Sequence, residues 1–354
     1  MSPAISGFDP AFQDARSLIV SVNEWHDRGG WAGIFGRRQP LELEIGFGWD
    51  PFLLEEATAR PDVDFIGLEY DRQRVMALAK KAVQENVGNL RLIHGNAFYG
   101  VPRFFRPGQL QRVYIHFPDP WPKKRHRKNR LLDPDFLKIL FYHMAEGAAL
   151  IVATDSAAYA EEIETGLDTL QGLRNLNAPH SRVNRLPGHR MTKFEQLFRS
   201  QGKAIHYFNY GKEAAFDRAY GTDVETYRQG IPERMSEMPH AVFNQELDLD
   251  RLARCGRSFH REEGDTHFRI TDVWISTQRP HALLECVLVH EGFDTLFFME
   301  VKRKKVETVV KISPLVEVER NELVFRFLAG LVGELENQFP DADVVRHNLG
   351  RFRS

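Results

Sequence analysis

Cysteine is almost missing from this chain. Cys255 and Cys286 are the only two in 354 residues. Two thiols cannot supply the disulfide framework of a secreted scaffold, and a metal site would need other ligands. Long apolar runs are missing too, and no stretch approaches the roughly 20 residues that span a bilayer. The apolar run from Leu18 to Val22 is short and ends at Asn23 and Glu24. That is not the pattern of a signal peptide, so a soluble cytoplasmic protein with no membrane partner is expected. Charge of one sign is also lacking. Lys and Arg number 47 against 49 Asp and Glu, a net charge of -2, which taken alone speaks against a nucleic-acid partner. Internal repeats and low-complexity tracts are absent. What remains is an ordinary globular composition, too long for one core, so two domains are expected.

The average charge hides a split. Residues 1–212 hold 28 Lys and Arg against 24 Asp and Glu, whereas residues 213–354 hold 19 against 25. The first part is therefore +4 and the second -6, which suggests different work for each.

From Leu41 the chain alternates short apolar runs with helical patterns, the grammar of a doubly wound α/β sheet. Strands are expected at 41–45, 64–69, 90–93, 112–116 and 148–153, with a late antiparallel strand at 203–210 on the sheet edge. Asp50 and Pro51 open a helix, Asp71 opens another, and Asp133-Pro134 begins one that should run to Gly147. After Lys212 the pattern changes. Residues 213–260 are charged and carry no clear period. Four strand-like runs then follow at 268–275, 283–290, 295–302 and 306–312. A final helix near 320–338 carries Leu323, Val324, Phe327, Leu328, Leu331 and Leu335 on one stripe. The expected fold is a Rossmann-like α/β domain over 1–212, then a smaller α+β domain over 213–354 made of an antiparallel sheet plus a helix.

The turn after the first strand, Gly46-Phe-Gly48, has the form of a nucleotide site. A dinucleotide fingerprint would want a third glycine at 51, where Pro51 stands. Residues 41–59 contain Glu42, Glu44, Asp50, Glu55 and Glu56 and no Lys or Arg. Such surroundings disfavour a pyrophosphate. They suit a ligand with an ammonium and a sulfonium and no phosphate, which describes S-adenosylmethionine. Glu69, ending the second strand, is placed to accept from ribose hydroxyls, and Asn96, beyond the third, to meet an adenine edge.

The most specific stretch follows the fourth strand: His116-Phe-Pro-Asp-Pro-Trp-Pro-Lys-Lys-Arg-His-Arg-Lys-Asn-Arg130. Three prolines stiffen the turn around Asp119 and Trp121. Residues 123–130 then hold six Lys or Arg plus His126, a concentrated patch for phosphate oxygens. This segment closely resembles the signature of the tRNA (guanine-N7)-methyltransferases, enzymes that methylate a guanine in the tRNA variable loop. Further matches occur in order: Glu-Ile-Gly-Phe-Gly at 44–48, Gly-Leu-Glu at 67–69, Ala-Thr-Asp at 153–155 with Tyr159, and Thr-Lys-Phe-Glu at 192–195. The resemblance covers roughly residues 20–212.

That resemblance implies a class I S-adenosylmethionine-dependent methyltransferase whose substrate is tRNA and whose product is 7-methylguanosine. By it, Glu44, Gly46, Gly48, Glu69, Asn96 and Asp119 fall on cofactor-contacting positions, and Asp119 is also the catalytic residue. Lys123, Asp155, Arg190, Thr192, Lys193, Phe194 and Glu195 fall on the substrate side, with Glu195 expected to accept from the guanine edge. The pattern departs from the family at three places. Asp50 stands where glycine is usual, Asn96 where aspartate is common, and His189 where arginine tends to precede the threonine. Two other readings compete: an RNA-binding protein on a degenerate methyltransferase fold, and a methyltransferase acting on another RNA guanine.

Residues 213–354 resemble no family. Cys255 with His260, or Cys286 with His281 and His290, sit at spacings that bring metal to mind, but isolated Cys and His at such spacings are core or surface residues, and no metal is expected. A tRNA clamp, a self-association module that would make the protein a homo-oligomer, and a binder of another ligand all remain open for this part.

Overall fold

The computed structural model describes residues 15–121, 130–229, 235, 237–278, 280–290, 293–313 and 318–353. They form two compact units that divide at Gly230/Ile231.

In the first unit, helices α1 (Val22–Asp27) and α2 (Trp31–Phe35) precede β1 (Leu41–Ile45). The alternation then runs α3 (Phe52–Ala59), β2 (Asp64–Glu69), α4 (Arg72–Gln84), β3 (Leu90–His94), α5 (Ala97–Phe104) and β4 (Leu110–His116). It continues with α6 (Pro134–His143), β5 (Met144–Thr154), α7 (Ala157–Asp168), β6 (Leu173–Asn175), α8 (Lys193–Ser200), β7 (His206–Lys212) and α9 (Ala214–Gln229). The strands assemble in the order β3-β2-β1-β4-β5-β7-β6. The first five are parallel, and β7 runs antiparallel to both β5 and β6. β1 and β2 are buried along their whole length, which is why they read as near-continuous apolar runs broken only by residues with work to do.

Both sheet faces are covered. On one, Leu41, Leu43, Ile45, Val113, Ile115 and Val152 pack with α5, α6, α7 and α9. On the other, Phe65 and Leu92 pack with α3 and α4, while Phe52, Tyr114, Ile151 and Tyr207 form a second cluster. The chain builds outward from β1 to β3 and then crosses back to β4. The crevice between the carboxyl ends of β1 and β4 is thus the switch point where ligands bind in such sheets.

Three boundaries differ from expectation. The helix after Asp133 stops at His143, because Met144 already pairs with Leu110 and a bulge at Leu110/Arg112 absorbs the extra residues before Ala149. β7 is not the edge strand, since three residues of β6 lie outside it. The first unit also runs past Lys212. Helix α9 belongs to it, for Phe216 is fully buried against Phe141, and Tyr142 donates to Glu225 at 2.6 Å.

The second unit contains β8 (His240–Phe243), α10 (Leu249–Ser258), β9 (His260–Glu263), β10 (Thr266–Ile275), β11 (His281–His290), β12 (Phe293–Lys304), β13 (Glu307–Ile312), α11 (Glu322–Gln338) and β14 (Val344–His347). All its strand pairs are antiparallel, in the order β14-β8-β13-β12-β11-β10-β9. Leu252, Ala253 and Cys255 of α10 and Phe327, Leu328 and Leu331 of α11 bury against Phe268, Leu284, Phe297 and Val301. Both cysteines belong to this core. Each thiol donates to a nearby carbonyl, Leu252 and Leu284 respectively, and burial raises its pKa, so neither is set up as a metal ligand.

Candidate active site

Gly46 and Gly48 carry φ of 72° and 59°, a left-handed turn that glycine enters without penalty, and no atom comes closer than 4.0 Å to where a Cβ would stand on either. The turn is held from β2. Glu69 accepts from the Gly48 amide through Oε2 and from the Asp71 amide through Oε1, both at 2.9 Å. The Gly95 amide donates to the Glu69 carbonyl at 3.0 Å, which brings Asn96 alongside. Asn96 uses its side-chain oxygen to cap α5 at the Phe98 amide, so its oxygen is a local structural acceptor here.

Asp50 explains its own departure from the usual glycine. One carboxylate oxygen accepts from the Phe52 amide at 3.0 Å and starts α3. The other accepts from the amides of Lys193 at 2.7 Å and Phe194 at 3.3 Å. A single side chain thus ties the glycine turn to the first turn of α8, more than a hundred residues away in sequence.

α8 begins with a threonine N-cap. Thr192 is buried and accepts from the Glu195 amide at 3.0 Å. Glu195 is turned inward at 2% exposure. Its two oxygens are taken by Arg199 (2.8 Å) and by the Tyr207 hydroxyl (2.5 Å). In this structure Glu195 is turned away from the surface, and a polar side chain this buried needs its partners inside. Lys193 and Phe194 are the members of the motif that face outward. Arg190 is exposed and pairs with acidic residues of α3. Its Nε donates to Glu56 at 2.8 Å, and Glu55 lies 3.7 Å away. Asp155, just past β5, pairs with Lys203 at 2.6 Å.

The loop after β4 is strained and clamped. Phe117 and Trp121 adopt φ of 51° and 41°, conformations that cost a non-glycine residue about 1–2 kcal/mol each. Arg130, only 9% exposed, holds the loop from beneath. Its Nε donates to the Pro120 carbonyl at 2.7 Å and its second terminal nitrogen to the Trp121 carbonyl at 3.2 Å. It also pairs with Glu162 and lies over the Tyr159 ring at 4.9 Å. Asp119 lies on this clamped loop, three residues past the end of β4, and is exposed. Of the six cations read as a phosphate patch, Arg130 is a structural clamp. Lys123 and the rest lie outside the described residues.

Sequence reasoning missed the buried polar chain under this surface. Glu44, at 1% exposure, has His116 Nδ1 at 2.8 Å from one oxygen, and His116 Nε2 lies 3.0 Å from His189 Nε2. His189, standing where the family tends to show arginine, packs its ring among Phe52, Tyr114 and Tyr207. Burial pushes both histidines down to about 4, and burial together with Asp50, Glu56 and Glu69 holds Glu44 well above the usual carboxylate range. Nothing in the local sequence around His189 signals this, because its partners come from β1, β4 and β7. Exposed Trp49 and Tyr70 beside the glycine turn were missed as well; large aromatics in loops just past strand ends were the available signal.

Residues 38–208 match the family described as "Putative methyltransferase". Among curated proteins, the tRNA (guanine-N(7)-)-methyltransferase of Geobacter metallireducens is 30% identical over 197 residues, covering 56% of this chain and 93% of that protein. Its counterpart in Pseudoalteromonas atlantica is 38% identical, covering 54% of this chain and 76% of that protein. This chain belongs to the tRNA (guanine-N(7)-)-methyltransferase family. Coverage is not uniform across the family, and the match spans 62% of the Burkholderia mallei member at 41% identity. The Aquifex aeolicus member matches 79% of this chain at 27% identity. The first unit ends at residue 230 of 354, so that match extends into the second unit.

Proposed function

We propose that this chain transfers a methyl group from S-adenosylmethionine to N7 of a guanine in tRNA. The observation that carries the reading is the frame around the switch point: Asp50 joins the open glycine turn to α8, and Arg130 clamps the loop bearing Asp119 beside it. Three features fit the cofactor. The two glycines leave space above the turn, one Glu44 oxygen is buried with no hydrogen-bond partner, and residues 41–59 hold carboxylates without a single Lys or Arg. When bound, S-adenosylmethionine supplies the sulfonium methyl that guanine N7 accepts.

Guanine N7 has a free lone pair in the major groove and needs no deprotonation before it is methylated. The protein therefore has no strong base to provide. Its work is to orient the base, an effect worth several kcal/mol, and to meet the positive charge that grows on it. Asp119 is assigned both tasks, because a carboxylate on a clamped loop keeps its position while the charge develops. When the cofactor is bound, Glu44 and Glu69 would hold its cationic and ribose ends, and Asn96 would meet its adenine. Exposed Trp49, Tyr70 and Phe194 offer stacking surfaces and exposed Lys193 a phosphate contact, and the family resemblance assigns Lys123 the same task. Thr192 and Glu195 shape α8 from inside, and Asp155 with Lys203 borders it.

The test is incubation with bulk tRNA and labelled cofactor, followed by nucleoside mass spectrometry. Appearance of 7-methylguanosine is expected, and its absence would overturn the assignment. Asp119→Ala, assayed at saturating cofactor and tRNA, should lose at least 100-fold in turnover; near wild-type turnover removes Asp119 from the centre of the mechanism.

A further inference from the structure

The chain Glu44–His116–His189 has a property that neither cofactor contact nor packing requires. Two ring nitrogens 3.0 Å apart cannot both be bare acceptors, so one of the two Nε2 atoms carries a hydrogen. With both rings neutral, two arrangements satisfy the same heavy-atom positions. In the first, Glu44 is a carboxylic acid that donates to His116 Nδ1, and His116 Nε2–H donates to His189. In the second, Glu44 is a carboxylate that accepts Nδ1–H from His116, and His189 Nε2–H donates to His116. The second holds one proton fewer than the first.

The surroundings decide between the two arrangements. Asp50, Glu56 and Glu69 face Glu44, and Glu195 and Glu56 face the histidines. The nearby cations are committed elsewhere: Arg60 and Arg112 to Glu42, and Arg190 to Glu55 and Glu56. The Tyr114 and Tyr207 hydroxyls donate to Glu42 and Glu195. Among the described residues no free positive charge meets Glu44, which favours the protonated first arrangement. Burial then falls along the chain, from 1% exposure at Glu44 to 8% at His116 and a half-buried His189 next to exposed Gly188 and Arg190. The outer ring is the one with a route to water.

We infer that His116 and His189 are positioning residues that conduct the Glu44 proton to solvent when a cationic ligand arrives at the unpartnered Glu44 oxygen. This rests on the cofactor reading above. In the step, the Glu44 O–H bond breaks as His116 Nδ1–H forms, and His116 Nε2–H breaks as His189 Nε2–H forms. His189 then gives its Nδ1 proton to water. One proton leaves, both rings end neutral, and the carboxylate faces the cation. The low affinity of both buried rings for an extra proton agrees with release to solvent at neutral pH rather than storage.

Isothermal titration of the full chain with S-adenosylmethionine, in buffers of different ionisation enthalpy between pH 6 and 8, counts the protons exchanged. Wild type should release close to one proton per cofactor bound near neutral pH, and Glu44→Gln should release none. His189→Phe, which keeps the ring packing, and His189→Asn, which keeps polarity but falls short of His116, should each bind at least tenfold more weakly at pH 6.5. That gap should narrow as the pH is raised. Wild-type binding with no proton exchange at any pH overturns the relay while leaving the cofactor reading standing. His189 variants with unchanged affinity and proton count overturn it equally. Failure of the wild type to bind S-adenosylmethionine overturns the cofactor reading, and the relay with it.

Discussion

Replacing Arg130 by methionine keeps most of the aliphatic stem and removes the guanidinium fork, which isolates what the clamp contributes. Phe117 and Trp121 together hold about 2–4 kcal/mol of backbone strain. Against this, Arg130 makes two charge-assisted bonds to the Pro120 and Trp121 carbonyls, about 1.5–3 kcal/mol each, and a face contact with Tyr159 of about 1 kcal/mol. The Glu162 pair adds little, because Glu162 is about a third exposed. The clamp thus exceeds the strain it opposes, and without it the loop has reason to relax. Since relaxation recovers the strain, the net loss of stability should be only about 2–3 kcal/mol. The larger effect falls on Asp119, where a displacement of about 1 Å can cost 100-fold in rate. Arg130→Met should therefore reduce turnover about 100-fold at saturating cofactor and tRNA while cofactor affinity changes less than threefold. Arg130→Lys should behave nearly as badly, because one ammonium cannot reach both carbonyls at once. Turnover and melting temperature both at wild-type values in the methionine variant would refute the clamp argument.

Asp50→Ala removes the acceptor shared by Lys193 and Phe194, so amide exchange in the first turn of α8 should quicken about 10–100-fold, read by hydrogen-exchange mass spectrometry; unchanged exchange there would show that Thr192 caps the helix alone. A chain ending after Lys212 should aggregate, because it exposes the face that buries Phe216 and Val224, whereas one ending after Gln229 should stay monodisperse by light scattering. His116, His143 and His189 sit near 4 in the fold against 6.5 unfolded, so their contribution is complete above pH 6.5 and is lost as the pH falls toward 4. Each costs about 2 kcal/mol at pH 5. Glu44 has the opposite sign, its contribution being complete below about 4.5 and lost as the pH rises, so it acts against the three histidines. The melting temperature at pH 5 should fall below that at pH 7; equality would contradict the burial of these rings as neutral groups.

Much of the site could be read in the chain because its parts are local. A left-handed turn needs Gly46 and Gly48 wherever it occurs, a helix N-cap needs a side-chain acceptor such as Thr192, and Asp133 with Pro134 starts a helix without help from elsewhere. The sheet followed for the same reason, since a strand buried on both faces shows as an apolar run. The regions that resisted were those whose structure is supplied from a distance. Met144 to Gly147 reads as helix and becomes strand only because β4 is beside it. Residues 240–258 read as featureless because β8 is short and pairs with β13 and β14, both far along the chain.

The amino-acid sequence by itself determined the strand and helix alternation from β1 to β5, the acidic character of the cofactor turn, and the family. Those depend on residue type and short spacing. Tertiary structure alone decided what several charged residues do. Arg130 looked like part of a phosphate patch and is a buried clamp. Glu195 looked like a base reader and is held between Arg199 and Tyr207, while Asp50, read as the opening of a helix, is also the strut that joins the turn to α8. A charge in a sequence shows only that a partner is needed. Which partner it has, and so whether it faces a ligand or holds the fold, depends on the low-dielectric surroundings that folding brings together.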